Sequence, residues 1–456
     1  MAEPDPQIEE GYELDNQLLP QVRLAMAAGD RARLDALFEP LHPADIADLL
    51  EQMESGTRRE LLAMAAEIVD GDVLTEISEG PREEIIEFLP AAVLTEAVRD
   101  LDSDDVVDIL EDLGEPQQEV ILEALDDADR VAAEQSLSYP EDSAGRLMQR
   151  EVVMAPEHWT VGEAIDYMRA SEDLPEHFYH MILVDPTMRP TSYVALGRIL
   201  GTKREVKLAD ITEDSFRTIP VDQDEAEVAY AFNQYHLISV PVVDQSDRLV
   251  GVITIDDAMI VLDEEHEEDI LRLAGITEGS LTDRVIATTK ARFPWLFVNL
   301  ITAILASLVI AQFDAAIAQI VALAVLMPIV ASMGGNAGTQ SLTVAVRSIA
   351  TKDLTGANVW RVIRRECLVG LVNGVIFAVV MGIVGFVWFG SPALGAVIAA
   401  AMVINLVVAG LAGTAIPVVL ERFGVDPALA SGAFVTTVTD VVGFFAFLGL
   451  AAAVLL

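Results

Sequence analysis

The pattern of apolar and polar positions changes twice along the chain. Up to about residue 135, apolar residues recur at spacings of three and four behind acidic starts, as in LHPADIADLLEQM (41–53) and DSDDVVDILEDLG (102–114). A weaker copy of this unit, GDVLTEISEG (71–80), lies between them. The spacing is that of amphipathic helices, and its recurrence predicts a short superhelix with solvated acidic faces. The prolines predicted to separate its helices are Pro40, Pro81 and Pro90.

From about residue 138 the pattern becomes one of alternating strands and helices. Residues 216–262 indicate a strand, an amphipathic helix, two strands joined by the turn SDR, and the start of another helix. Residues 150–171, 177–186 and 191–200 repeat this order. The sequence therefore predicts two α/β units in tandem.

The last third of the chain contains long apolar runs. They lie at about residues 293–313, 315–346, 364–389, 392–420 and 427–456. Each has at least the roughly 20 residues that a helix needs to cross a bilayer, so we predict five membrane-spanning helices. Lys and Arg lie before the first run, between the second and third, and between the fourth and fifth, and are missing from the two other connections. This distribution predicts a cytoplasmic N-terminus and an external C-terminus, because basic residues concentrate on the cytoplasmic side. The basic residues are Arg284, Lys290, Arg292, Arg347, Lys352, Arg361, Arg364, Arg365 and Arg422.

The negative charge belongs almost entirely to the part that precedes these runs. Residues 283–456 contain nine Lys and Arg against seven Asp and Glu, whereas the whole chain has 28 against 73, so residues 1–282 carry a net charge of −47. Such a surface repels nucleic acid and anionic lipid and attracts cations. Adaptation to high salt is an alternative source of the acidity, which the ratio of four lysines to 24 arginines leaves open.

Two further features bear on the compartment. The opening MAEPDPQIEEGYELD has no charged segment followed by an apolar core, so no cleavable signal peptide is expected. Cys367 is the single cysteine, which excludes a disulfide within the chain and is typical of a protein whose soluble part stays in the cytoplasm.

Polar residues interrupt the second apolar run in PIVASMGGNAGTQSLT (328–343). Gly334, Gly335 and Gly338 are predicted to break the helix there, which would free backbone carbonyls for a ligand. Asn336 and Gln340 add side-chain oxygens. Freed carbonyls and amide oxygens suit a hard, hydrated cation rather than an anion or a soft metal.

The fifth run contains a carboxylate deep in a span. Asp440 shares a helical face with Thr436, Thr437 and Gly443. An ionisable residue at that depth is costly and indicates a functional site, here a water-filled path for a cation. The alternative is a helix-packing contact at the glycines, with Asp440 hydrogen-bonded to threonine.

A second acidic feature lies just before the membrane, in VLDEEHEEDILRLAGI (261–276). Carboxylates this dense destabilise a helix unless something neutralises them, and a divalent cation would do so. The alternative is a solvated, charged linker helix. The acidic residues are Asp263, Glu264, Glu265, Glu267, Glu268 and Asp269.

The α/β units resemble a pair of CBS domains. Such pairs often bind an adenine nucleotide such as ATP through a Thr and an Asp after the last strand, and Thr254 and Asp257 stand at those positions in the second unit. The first unit has Ile199 where the Asp would be. The resemblance therefore implies nucleotide binding at the second unit, with a purely structural pair as the equal alternative.

The whole chain resembles the MgtE family of magnesium channels and transporters. The resemblance is carried by YPEDSAGRLM (139–148), MGGNAGTQSLTVAVRSIA (333–350) and DPALASGAFVTTVTDVVGFFAFLGLA (426–451). It implies a homodimer with a pore on its twofold axis, in which Asp440 holds hydrated Mg2+, Asn336 lines the path and Asp426 lies at the cytoplasmic mouth. It also implies sensor carboxylates that close the pore when cytoplasmic Mg2+ is high. These are Asp257, Asp263, Glu265, Glu268 and Asp269.

Together these features predict an acidic all-α domain (1–137), tandem CBS domains (138–268), a connecting plug helix (269–291) and a five-helix membrane domain (292–456). The expected function is Mg2+ uptake across the inner membrane, inhibited by cytoplasmic Mg2+. The alternative is a CBS-bearing membrane sensor of Mg2+ or nucleotide without transport. An enzyme is not expected, because no nucleophile and base stand at a recognisable spacing, and the absence of a GxxxxGK[ST] stretch argues against an ATP-driven pump.

Overall fold

The computed structural model describes residues 17–99, 101–111, 113–171, 174–175, 177–274, 276, 285–354 and 356–456. The opening segment, Arg284 and much of the predicted plug helix lie outside these residues. The chain divides into two compact units, Met1–Asp263 and Glu264–Leu456.

The first unit begins with the predicted array of short helices. Its core is built from apolar residues at helical spacing, such as Leu34, Leu50, Leu61 and Ile109, none of which is exposed. The helices are α1 (Leu18–Ala28), α2 (Arg31–Phe38), α3 (Pro43–Glu51), α4 (Ser55–Ala65), a 3₁₀ turn (Ala66–Ile68), α5 (Gly71–Thr75), α6 (Glu79–Phe88), α7 (Ala91–Arg99), α8 (Ser103–Glu111), α9 (Glu115–Ala124) and α10 (Asp127–Ser136). The all-helical prediction is confirmed.

The prediction for Pro81 is wrong, because this residue lies inside α6 and does not separate helices. It occupies the first turn, where a backbone N–H has no helical partner and its loss costs nothing. Pro40 and Pro90 do lie between helices.

Two small α/β units follow. The first contains β1 (Met154–Pro156), α12 (Val161–Ala170), β2 (His180–Val184), β3 (Pro190–Ala195) and α13 (Leu196–Gly201), with a 3₁₀ turn (Leu208–Asp210) whose Leu208 packs into its core. The second contains α11 (Ala144–Leu147), whose Ala144 packs into its core, β4 (Ile219–Pro220), α14 (Glu225–Tyr235), β5 (Ser239–Val243), β6 (Leu249–Thr254) and α15 (Ile255–Leu273). In both sheets the middle strand pairs in parallel with the preceding strand and antiparallel with the following one. The same topology twice in succession confirms the predicted tandem repeat.

The second unit contains five helices long and apolar enough to cross a membrane, among the residues that are described. They belong to α16 (Val285–Ala311), α18 (Ala322–Ala350), α19 (Val359–Phe389), α20 (Pro392–Arg422) and α21 (Pro427–Leu455). A short α17 (Asp314–Gln319) lies between the first two, so the second span begins at Ala322 rather than at the predicted 315. The number of spans is as predicted.

The predicted break in the second span is wrong. Helix α18 runs without interruption for 29 residues through all three glycines. Away from water, a backbone that leaves the helix loses hydrogen bonds it cannot replace, and this cost outweighs the low helix propensity of glycine. The glycines serve instead as places of close helix contact.

Candidate functional site

Helix α18 carries a row of exposed polar side chains at intramembrane depth. Asn336 lies at its centre and donates a hydrogen bond from Nδ2 to Oγ of Ser332 at 3.4 Å. We call this row the polar stripe; it consists of Ser332, Asn336, Thr339, Gln340 and Thr343. These positions fall on one helical face. Gly334 and Gly338, on the opposite face, are buried.

Asp440 lies half-buried on α21, and its carboxylate forms no hydrogen bond or ion pair with another described residue. The neighbouring threonines do not bond to it, since Thr436 Oγ1 donates to the Gly432 carbonyl at 3.0 Å and Thr437 Oγ1 donates to the Ala433 carbonyl at 2.5 Å. The alternative in which threonine satisfies Asp440 is therefore not what the structure contains. An unpartnered carboxylate at this depth retains its full capacity to bind a cation.

Close contacts set the relative level of α18 and α21. A Cβ at Gly338 would lie 2.6 Å from Cγ1 of Val435, and Gly334 and Gly443 both lie against the side-chain amide of Asn405. The two helices therefore run antiparallel, and the 334–338 segment of α18 packs against the 435–443 segment of α21. Asn336 and Asp440 lie within these two facing segments.

Two buried polar residues that the sequence predictions missed join α18 to its neighbours. Asn405, in α20, has no exposed surface and donates from Nδ2 to the Val330 carbonyl of α18 at 2.8 Å. Glu366, in α19, is 8% exposed and accepts a hydrogen bond from Ser341 Oγ of α18 at 3.1 Å. In the sequence, Glu366 and Asn405 are visible as a carboxylate and an amide within apolar runs. A single sequence does not show which residues they contact.

In the first unit, the acidic start of α8 meets the start of α15. Burial, followed by the charge of Asp257, raises the pKa of Asp105 to about 7 and also raises the pKa of Asp104. Burial likewise raises the pKa of Asp257, to about 6. We call Asp102, Asp104, Asp105 and Asp257 the α8–α15 acidic cluster. The expectation that the acidic face of residues 102–114 is merely solvated is wrong for Asp102, Asp104 and Asp105, which are partly buried.

Neutral and ionic contacts hold α8 in this position. Ser103 Oγ donates to Glu151 Oε2 at 2.9 Å and accepts from the Arg150 backbone N–H at 2.8 Å. Arg146 forms an ion pair with Glu111 at 2.7 Å. These partners lie 35 to 48 residues apart in sequence, so short-range patterns could not reveal the contact.

The remaining predicted sensor residues lie along α15. Asp263 is exposed, Glu265 and Glu268 are half-buried, and Glu268 pairs with Arg272 in the next turn. Within the second unit Arg272 also lies 3.5 Å from Asp426, the residue predicted at the pore mouth. Burial and then the charge of Asp426 raise the pKa of Asp269. The structure thus brings Asp269, Arg272 and Asp426 together.

The predicted nucleotide residues contact each other. Thr254 Oγ1 donates to Asp257 Oδ2 at 2.7 Å and also to Asp256. Within the described part of the chain, no three His, Cys, Asp or Glu side chains are arranged to hold a metal ion directly. The ligand roles of these residues remain predictions.

Comparisons with known proteins agree with the architecture. Residues 327–450 match the MgtE family of divalent cation transporters, residues 41–142 match the MgtE intracellular N domain, and residues 208–264 match the CBS domain. The chain is 30% identical over 445 residues to the magnesium transporter MgtE of Thermus thermophilus, covering 96% of this chain and 98% of that protein. The chain belongs to the MgtE family.

Other MgtE proteins match over similar lengths. The magnesium transporter MgtE of Bacillus subtilis is 27% identical over 439 residues, which cover 96% of this chain and 97% of the relative. A crystal structure of the cytosolic domain of the Mg2+ channel MgtE in complex with ATP matches 53% of this chain and 99% of that chain, at 28% identity and a TM-score of 0.49. Family membership together with the five apolar helices makes this chain a multi-pass membrane protein.

Proposed function

We propose that this chain transports Mg2+ across the inner membrane along a path lined by the polar stripe of α18 and by Asp440 of α21. The observation that carries the proposal is Asp440, a half-buried carboxylate within a span. Its carboxylate has no partner among the described residues, and it lies in the segment of α21 that packs against the α18 segment containing Asn336. Support also comes from the names of the relatives, which are magnesium transporters.

The chemistry of the path suits a hydrated cation. Mg2+ gives up its water reluctantly, and proteins usually hold it through one or two carboxylates while several waters remain bound. Asp440 supplies the charge, and the amide and hydroxyl groups of the polar stripe accept hydrogen bonds from the water shell. Direct coordination by three or more carboxylates is not needed for such passage.

Two copies of the chain would complete the path. The polar stripe is exposed in a single chain, and polar side chains that face hydrocarbon are costly unless protein or water covers them. In a homodimer, the two stripes and the two Asp440 residues would surround the twofold axis and line a water-filled path there. The basic flanks then put the N-terminal unit in the cytoplasm.

Regulation by cytoplasmic Mg2+ would act at two acidic places. At the α8–α15 acidic cluster, burial and then the charge of neighbouring carboxylates raise the carboxylate pKa values, and a bound divalent cation would offset the repulsive part. At the end of α15, Asp269 and Asp426 would share a cation beside Arg272. Mg2+ that binds only to the closed form of the transport path stabilises that form by mass action. Several weak sites therefore make the flux depend steeply on the cytoplasmic Mg2+ concentration.

The surroundings of Asp257 favour a cation over a nucleotide. Its carboxylate neighbours repel phosphate groups, and it already accepts the Thr254 hydroxyl hydrogen. Binding of an adenine nucleotide at Thr254 and Asp257 remains a second, separate proposal.

The test is Mg2+ flux into proteoliposomes that contain the purified full-length chain, with internal free Mg2+ varied from micromolar to millimolar. Flux should fall as internal Mg2+ rises, and Asp440→Ala should abolish it while leaving the melting temperature unchanged. Asp314→Ala, which removes a carboxylate outside the spans, is the matched control. Retained flux in Asp440→Ala would refute the path, and no flux from any form would favour a sensor without transport.

The regulatory part needs its own variant. Changing Asp263, Glu268 and Asp269 together to their amides should relieve inhibition by internal Mg2+. Changing Glu83, Glu87 and Glu96, which are exposed on α6 and α7, to glutamine removes the same charge elsewhere and should leave inhibition intact. Equal inhibition in both triple variants would contradict the sensor role without affecting the transport assignment.

A further inference from the structure

Three arginines at the start of α19 have side chains whose charge no partner among the described residues neutralises. Arg361, Arg364 and Arg365 are exposed, and none of their side chains forms a hydrogen bond or ion pair with another described residue. The acidic residue next to them in sequence, Glu366, is turned into the bundle and bonded to Ser341. The charge of the three guanidinium groups is therefore left for a ligand outside the helix.

The arginines open onto an apolar surface. Together with Leu368, Val369, Val372 and Asn373 they line a shallow groove of about 530 Å³ along one side of α19. The apolar members, Leu368, Val369 and Val372, are 51%, 44% and 58% exposed and follow the arginines into the hydrophobic span. We call these seven residues the arginine groove. From Arg361 to Val372 the helix rises roughly 16 Å, about the length of a phosphate headgroup and the upper part of an acyl chain.

The position along α19 is that of the bilayer interface. Trp360, beside the first arginine, is 80% exposed, and exposed tryptophan is typical of the headgroup level. A ligand here would need a negative charge at the interface and an apolar part that extends toward the bilayer centre. Basic pockets at the cytoplasmic ends of spans bind anionic headgroups on this basis.

We propose that the arginine groove binds an anionic phospholipid, with its phosphate on Arg361, Arg364 and Arg365 and an acyl chain along Leu368, Val369 and Val372. Charge complementarity selects this occupant over a neutral lipid, and the apolar continuation selects it over a free anion. The site is separate from the transport path and does not depend on the proposed function.

The experiment uses the full chain, delipidated in neutral detergent and supplied with phosphatidylglycerol or with phosphatidylcholine of the same chains. Phosphatidylglycerol should raise the melting temperature more and remain bound in native mass spectra. Changing all three arginines to glutamine should weaken this preference by on the order of a hundredfold. Arg422→Gln, at the matching end of α20, should preserve it.

Several outcomes would overturn the proposal. Equal retention of phosphatidylglycerol by the triple variant and the native chain would remove the arginines from the site. An equal shift with glycerol phosphate would point to a soluble anion. In a Cys367→Ser background, efficient cross-linking of Val369→Cys between copies would show that a second chain covers the groove. If the triple variant does not fold, Arg361→Gln and Arg365→Gln are measured singly. An unchanged preference for phosphatidylglycerol in both single variants would contradict the site.

Discussion

Asn405 donates a hydrogen bond from its side-chain amide to the backbone carbonyl of Val330 across 2.8 Å, and so ties the middle of α20 to α18. Its amide oxygen, Oδ1, is buried and has no hydrogen-bond partner among the described residues. The same side chain fills the space left by Gly334 and Gly443. A single amide therefore sets the separation of the two helices that carry Asn336 and Asp440.

Replacing Asn405 by leucine should change transport more than stability. The loss of one interhelical hydrogen bond costs only about 1 kcal/mol in a membrane protein, but leucine no longer fixes the spacing of α18 and α21. We expect a several-fold lower flux with a higher half-saturating Mg2+ concentration. Thr414→Val is the control, because this buried threonine bonds only within its own helix, to the Gly410 and Leu411 carbonyls. A purely structural Asn405 would lower expression and leave the half-saturating concentration unchanged.

Adjacent glycines of α18 should respond differently to alanine. A Cβ at Gly334 would overlap the Asn405 amide, whereas a Cβ at Gly335 meets nothing within 4 Å. We expect Gly334→Ala to lower the free energy of unfolding by about 1–3 kcal/mol through overpacking, and Gly335→Ala to leave it unchanged. Thermal unfolding in detergent measures both. Similar melting temperatures for the two variants would mean that the helices are not in close contact at Gly334.

Acidification should mimic Mg2+ at the α8–α15 acidic cluster. The pKa of Asp105 is raised to about 7 and that of Asp257 to about 6 in the folded chain, so this arrangement binds more protons than the separated carboxylates. Its stability is therefore highest below pH 4, is lost as the pH rises through 6 and 7, and stays low above that range. With a chelator present, the melting temperature should rise from pH 8 to pH 6.

Asp105→Asn removes the contribution of Asp105 to this dependence and should stabilise the chain at pH 8 by roughly 1–2 kcal/mol after allowance for solvent screening. Asp72→Asn, on the exposed face of α5, should keep the native pH profile. If the two variants share one profile, repulsion within the cluster does not limit stability.

Glu366 should matter as a hydrogen-bond acceptor rather than as a charge. Glu366→Gln retains an oxygen for Ser341 and should melt close to the native temperature. Glu366→Ala leaves a buried hydroxyl without its partner and a cavity, at a cost of about 2–4 kcal/mol. Glu421→Ala, an exposed carboxylate at the end of α20, controls for loss of charge. A severe effect of the glutamine variant would instead show that the charge is required.

The features that could be predicted are those recorded within a short window of sequence. Apolar run length predicts the five spans, and the repeated strand and helix order predicts the tandem CBS units. Ser103 and Glu151 are 48 residues apart in sequence, and Asn405 and Val330 are 75 apart, so short-range sequence patterns do not indicate these contacts. The wrong prediction for α18 has another cause, because glycine propensity describes helices in water rather than in a packed, apolar bundle.

The polar stripe places two opposing demands on the same five positions of α18. Apolar replacements there would make α18 a better helix for insertion into lipid, and they would remove the groups that face the proposed path. A library of stripe variants selected for yield should therefore drift toward leucine and valine, while the same library selected for growth on scarce Mg2+ should keep amides and hydroxyls. How far the two selected populations diverge at Asn336 would measure what the chain gives up in insertion to keep its activity.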